Sequence, residues 1–198
     1  MAQVIRKLAI GAALSIACVS CTANGEGDAP VTPSPVDQFT PLDQLKPINL
    51  DGDPLSGAET FDTRPTPRAL GEVSTERYRM IVYTQGSSCG LLVVDAKTSQ
   101  RPLINLVSAW PKNVSEGSQR YAAGPYNFAS GAGSESSRSR ASLYCSEKAM
   151  VVEFTPGEEA STSGQQGHVS TKKRHSDPES LVVVTGSDAA RKRIMKQL

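Results

Sequence analysis

The sequence predicts a mainly β (α+β) domain: a small antiparallel sheet of six or seven short strands, one C-terminal helix and one disulfide. Three observations lead there. Aromatic and β-branched residues cluster in short runs between Tyr78 and Thr185, each bounded by Gly, Ser, Asp or Pro. The one extended helical pattern follows Gly186. Of the four cysteines, two (Cys89 and Cys145) stand at the ends of strand-like runs.

Strand signals begin at Tyr78. Tyr78–Thr84 ends in the turn cluster Gln85-Gly86-Ser87-Ser88, and Cys89–Asp95 follows with Leu91-Leu92-Val93-Val94 at its centre. A run apolar on both faces fits a strand covered on both sides. Pro102–Trp110 forms a third strand, Pro being tolerated at a first position. Lys112–Ala123 is polar and irregular, Pro125–Ala129 is a short strand, and Ser130–Ser139 has the composition of a mobile loop. Ala141–Cys145 and Ala149–Thr155 flank Ser146-Glu147-Lys148 as a tight hairpin. Pro156–Glu179 has almost no large apolar residue and is expected to be disordered. Ser180–Thr185 is the last strand.

Gly186-Ser187-Asp188 then caps a helix to Leu198. Ala189, Ala190, Ile194 and Leu198 are expected to face inward, and its bases lie toward the C-terminal end of the macrodipole. Arg191, Lys192, Arg193 and Lys196 form a basic set available to headgroups or an acidic partner. Cys89 and Cys145, in an oxidising compartment, are expected to pair.

That compartment is read from the N-terminus. Arg6 and Lys7 precede an apolar run from Leu8 to Ser20, shorter than the roughly 20 residues that span a bilayer. Residues 1–20 therefore read as a cleavable signal peptide. Cys18-Val19-Ser20-Cys21 resembles the lipobox of bacterial lipoproteins, with Val19, Ser20 and Cys21 matching it and Cys18 standing where the family usually carries Leu. The resemblance implies that Cys21 is acylated and becomes the mature N-terminus, anchoring the chain on the extracytoplasmic face of the cell membrane. Cleavage after Ala23 would instead give a secreted protein, and an uncleaved leader is the third alternative.

Residues 21–70 read as a Pro-rich disordered tether, with 71–198 as the β-rich extracytoplasmic domain. Within the tether, Thr40-Pro41-Leu42-Asp43-Gln44-Leu45 has the pattern of a helical turn that Phe39 and Ile48 could help to dock. Plain spacer is the reading preferred from composition.

No catalytic, cofactor or metal set is expected. His168 and His175 flank Lys172, Lys173 and Arg174, a poor setting for a cation. Ser87-Ser88-Cys89-Gly90 lacks an ordered histidine to activate a nucleophile. Gly131-Ala132-Gly133 lacks the third glycine of a nucleotide loop, and Asp51-Gly52-Asp53 lacks the further oxygens of a calcium loop. Lys plus Arg number 21 against 20 Asp plus Glu, so bulk nucleic-acid binding is not expected. Aromatics at 5% are sparse for a stacking platform. The expected function is a non-enzymatic, membrane-tethered envelope protein that binds a protein partner as an accessory subunit. The alternative is a carrier holding a lipid or other small envelope ligand beneath the sheet, in a cavity lined by Leu91, Val93, Ile104, Leu106, Val151 and Phe154.

Overall fold

The computed structural model describes residues 39–56, 65–96, 102–134, 138–157 and 161–198. Residues 1–38, on which the signal-peptide and acylation expectations and the first part of the tether expectation fall, lie outside them. The described strands are β1 (Arg68–Thr75), β2 (Tyr78–Thr84), β3 (Ser88–Asp95), β4 (Pro102–Ala109), β5 (Asn127–Ala132), β6 (Arg140–Cys145), β7 (Ala149–Thr155), β8 (Thr162–Gly167), β9 (Val169–Arg174) and β10 (Ser180–Gly186). Helix α1 spans Asp188–Gln197. The fold is mostly β with a terminal helix and a disulfide, as the sequence predicts.

The strands form two sheets of five, not one of six or seven. The first has the order β4-β3-β2-β1-β8 and the second β5-β6-β7-β10-β9, with every neighbouring pair antiparallel. The chain lays down β1 to β4 as a meander, crosses to β5–β7, returns with β8 beside β1, and crosses again so that β10 sits between β7 and β9.

The inner faces share one core. Val73, Tyr78, Met80, Val82, Leu91, Val93 and Ile104 come from the first sheet; Leu143, Met150, Val152, Phe154 and Val183 come from the second. Cys89 and Cys145 join the two sheets, with Cα atoms 5.7 Å apart across 56 positions of sequence. On the chain-entropy account a loop of that length contributes roughly 4 kcal/mol.

Central strands that are apolar on both faces also need covers on their outer faces, and the molecule has two. On the first sheet, Ala69, Ile81, Tyr83, Leu92 and Val94 are covered by Ile48, Leu50 and Leu55 of the N-terminal segment. On the second, Val151, Val182 and Val184 lie under α1 and under Tyr121, Ala123 and Tyr126.

The N-terminal segment is therefore part of the domain over residues 39–56, which corrects the tether reading there. Its Phe39 packs with the cover of the second sheet, Leu42 and Leu45 enter the core between the sheets, and Ile48–Leu55 lie on the first sheet. A 3-10 turn over Leu42–Gln44 places Leu42, fully buried, with its N–H on Glu147 O at 2.8 Å. The Ile48 N–H reaches Ala69 O at 2.9 Å, and Arg68 donates to Leu45 O at 2.8 Å. The same prolines that suggest free spacer suit an extended strap, which needs no ladder of its own.

β1 is a further correction, since strand signals read from Tyr78 miss it. Ala69, Gly71, Glu72 and Ser74 dilute its pattern, yet it is an interior strand, flanked by β2 and β8, and largely buried. The stretch 156–179 is corrected too, because β8 and β9 occupy most of it. Both are edge strands, so backbone pairing to β1 and β10 holds them with little apolar content. β5 likewise extends through Ala132, into the stretch read as loop.

Candidate partner-binding face

The outer face of the second sheet is covered over only part of its width. Beyond α1, β5 and β6 bring Phe128 directly opposite Tyr144, and β7 contributes Glu153 on the same face. Phe128 is 55% exposed, although phenylalanine is ordinarily a core residue. Its ring centre lies 5.0 Å from that of Tyr144 at a tilt of 46°.

The loop between β4 and β5 completes the cluster. An isolated bridge, Ser118 to Tyr126, closes the loop and turns Arg120 and Tyr121 back onto the sheet. Tyr121 stands edge-on to Tyr126 and to Tyr144, with centroid distances of 5.9 and 5.4 Å. The Arg120 guanidinium lies 4.8 Å from the Tyr144 ring centre and 5.5 Å from that of Tyr121. It also donates to Tyr144 Oη at 2.6 Å.

Glu153 organises the cations. One of its oxygens, Oε1, accepts from Arg120 at 3.2 Å, from Arg174 of β9 at 3.2 Å and from Tyr121 Oη at 2.6 Å. Burial, helped by the hydrogen bond to Glu153, pushes the Tyr121 phenol up to about 12. Burial and the Glu153 charge raise Tyr144 as well. Both phenols therefore stay protonated at neutral pH, Tyr121 donating to Glu153 and Tyr144 accepting from Arg120. The face combines exposed apolar area, rigid rings and a preorganised guanidinium, chemistry suited to recognition.

α1 borders this face. Ser187 caps it by accepting from the Ala190 N–H, and Ala190 and Ile194 are fully buried. Gln197 Oε1 accepts from the Ala122 N–H at 2.8 Å, tying the helix to the Arg120 loop. Lys192, Arg193 and Lys196 are exposed. Arg191 is not part of that free basic set: its side chain is 15% exposed, donates to Gly186 O at 2.7 Å and pairs with Asp188. Ala189, expected to face inward, is exposed, because Ala190 and Ile194 define the packed stripe.

The other sequence candidates fall elsewhere. Cys89 and Cys145 are disulfide-bonded, so neither is a thiol nucleophile. His168 Nε2 lies 3.0 Å from Lys46 O on the strap, and His175 contacts Glu179. Leu91, Val93, Ile104, Leu106 and Phe154 pack in the core between the sheets, each 8% exposed or less. Val151 lies on the opposite face of its sheet, beneath the helix. Among the described residues, no three of His, Cys, Asp and Glu are grouped to hold a metal, and no helix is long and apolar enough to cross a membrane.

The aromatic–arginine cluster escapes a reading by composition. Its residues, from Arg120 to Arg174, are few and scattered, and only strand register assembles them. Alternation in β6 and β7 is the one available signal, since it puts Tyr144, Val151 and Glu153 on a single face.

These features define a disulfide-bridged antiparallel β-sandwich with a strap on one sheet and a helix on the other. No protein-family model matches this chain, nor does any curated protein or solved structure.

Proposed function

We propose that this chain is a non-enzymatic, membrane-tethered envelope protein, acylated at Cys21, that binds a protein partner through the Phe128–Tyr144–Arg120 face. The observation that carries the reading is the exposed Phe128 ring, set on a buried tyrosine beside a stacked arginine. Interface anchors are enriched in aromatic residues and arginine, held rigidly so that little side-chain entropy is lost on binding. The leader supports the anchor: Val19-Ser20-Cys21 follows an apolar run too short to span a bilayer. Lys192, Arg193 and Lys196 add a basic rim that favours an acidic margin on the partner.

The test is crosslinking and pull-down of the full chain from native membranes, with Phe128→Ser and Arg120→Ala alongside. The reading expects a partner recovered with the parent chain and reduced at least tenfold with either variant. Equal recovery by all three chains overturns the assignment of this face. Cys21→Ala is expected to move the chain off the membrane or stall it as a precursor. A mature N-terminus at Asn24 without acyl mass overturns the anchor.

A further inference from the structure

We propose that two copies of this chain associate by antiparallel pairing of β8 with β8 of the second copy, joining their first sheets into one continuous sheet.

A two-sheet sandwich has four strand edges, and unpaired edges invite a further strand unless something blunts them. Here the edges differ. β4 begins with Pro102, which has no N–H to give, and β4 and β5 lie against each other where the two sheets meet. β9 carries Lys172-Lys173-Arg174, so pairing it with its own copy sets like charges opposite one another. β8, Thr162-Ser163-Gly164-Gln165-Gln166-Gly167, has no charge and no proline, and all six residues are exposed. Among the described residues only β1 pairs with it.

Its free side is accessible backbone. The His168 N–H donates to Leu70 O at 2.8 Å, so the antiparallel alternation turns the N–H and C=O of Gln166 toward β1 and those of Gln165 away from it. A Cβ built on Gly164 meets nothing within 4 Å.

The strand is also self-complementary. A twofold axis at Gln165 lets each copy's Gln165 donate to and accept from the other. Gly164 then lies opposite Gln166, which leaves space for the Gln166 side chain. That side chain donates to Glu72 Oε2 at 3.0 Å, and the Glu72 charge is already paired with Arg79 at 2.6 Å. The Gln166–Glu72–Arg79 group therefore brings no unpaired charge to the seam. The seam lies on the first sheet, distinct from the Phe128 face on the second.

The test is sedimentation of the full chain in density-matched detergent over a wide concentration range. The parent chain is expected to pass from monomer to dimer. Gln165→Pro removes the outward N–H, a change an edge strand accommodates, and is expected to weaken dimerisation at least tenfold. Gln165→Lys places like charges across the axis and is expected to weaken it similarly, with partial recovery at high salt; it carries the test alone if the proline variant does not fold. A parent chain that stays monomeric throughout overturns the proposal. So does a dimer that survives Gln165→Lys, or one that Phe128→Ser dissolves.

Discussion

The outer faces of the two sheets pose the same physical problem and receive different answers. Each sheet has an interior strand that is apolar on both sides, Leu91-Leu92-Val93-Val94 in one and Val182-Val183-Val184 in the other. On the first sheet an extended strap lies across Ala69, Ile81, Tyr83, Leu92 and Val94. On the second, a ten-residue helix and the Tyr121 loop cover one half and leave Phe128 in the open. Covering a whole face makes structure; covering half of one leaves a ledge where aromatic area meets solvent beside a defined wall.

Removing what both faces depend upon should have the largest effect. Replacing Cys89 and Cys145 together by alanine is expected to cost roughly 4 kcal/mol in denaturant unfolding, since the bridge ties the sheets whose outer faces are compared. A loss within experimental error would mean the sheets are held by the shared core alone.

The core anchor of the strap and the helical cover can then be tested separately. Leu42→Ala in the strap and Ile194→Ala in the helix each remove a fully buried branched side chain, and each is expected to cost about 2–5 kcal/mol. If Leu42→Ala proves neutral, the N-terminal segment is not anchored in the core between the sheets, and the strap that continues from it over the first sheet is a loose appendage. Gly90→Ala examines the first face from beneath. A Cβ there would lie 2.0 Å from the Tyr83 ring, which is itself fully buried. Overpacking of this kind is expected to cost about 1–3 kcal/mol.

A pH series separates the faces more gently. Burial alone would raise the Glu72 carboxyl on the first sheet, but hydrogen bonds from Arg79 and Gln166, with the Arg79 charge, hold it below its ordinary 4.5. A carboxyl lowered in the folded state contributes stability fully above its unfolded value and loses it as pH falls through the folded one. The Tm advantage of the parent over Glu72→Gln should therefore be complete near neutrality and shrink below pH 4.5. An advantage that persists unchanged into acid would show that the carboxylate's charge is not what matters.

The smallest stability change is expected on the open ledge. Phe128→Ser removes an exposed ring and should alter unfolding by less than about 1 kcal/mol. A much larger loss would mean that Phe128 acts as a lid on Tyr144, and the partner surface would have to be sought elsewhere.

Local composition determined a good deal of this protein. Runs such as Tyr78–Thr84 and Ala149–Thr155 announce strands because β-branched and aromatic side chains have a pleated surface to pack on, and both match the observed bounds. The Ser187 cap and the Ala190/Ile194 stripe announce the helix, and the pairing of Cys89 with Cys145 is the one that cysteine arithmetic predicts. What local composition leaves open is whatever depends on a distant partner. β8 and β9 read as loop because an edge strand needs backbone partners more than apolar side chains, and those partners, β1 and β10, are remote in sequence. Leu42 and Leu45 read as spacer because two leucines among prolines cannot form a core until two sheets offer one. The split into two sheets, and the meeting of Arg120, Phe128, Tyr144, Glu153 and Arg174, were decided by tertiary structure alone. Strand register chooses which residues share a face, and register is a property of the assembled sheet.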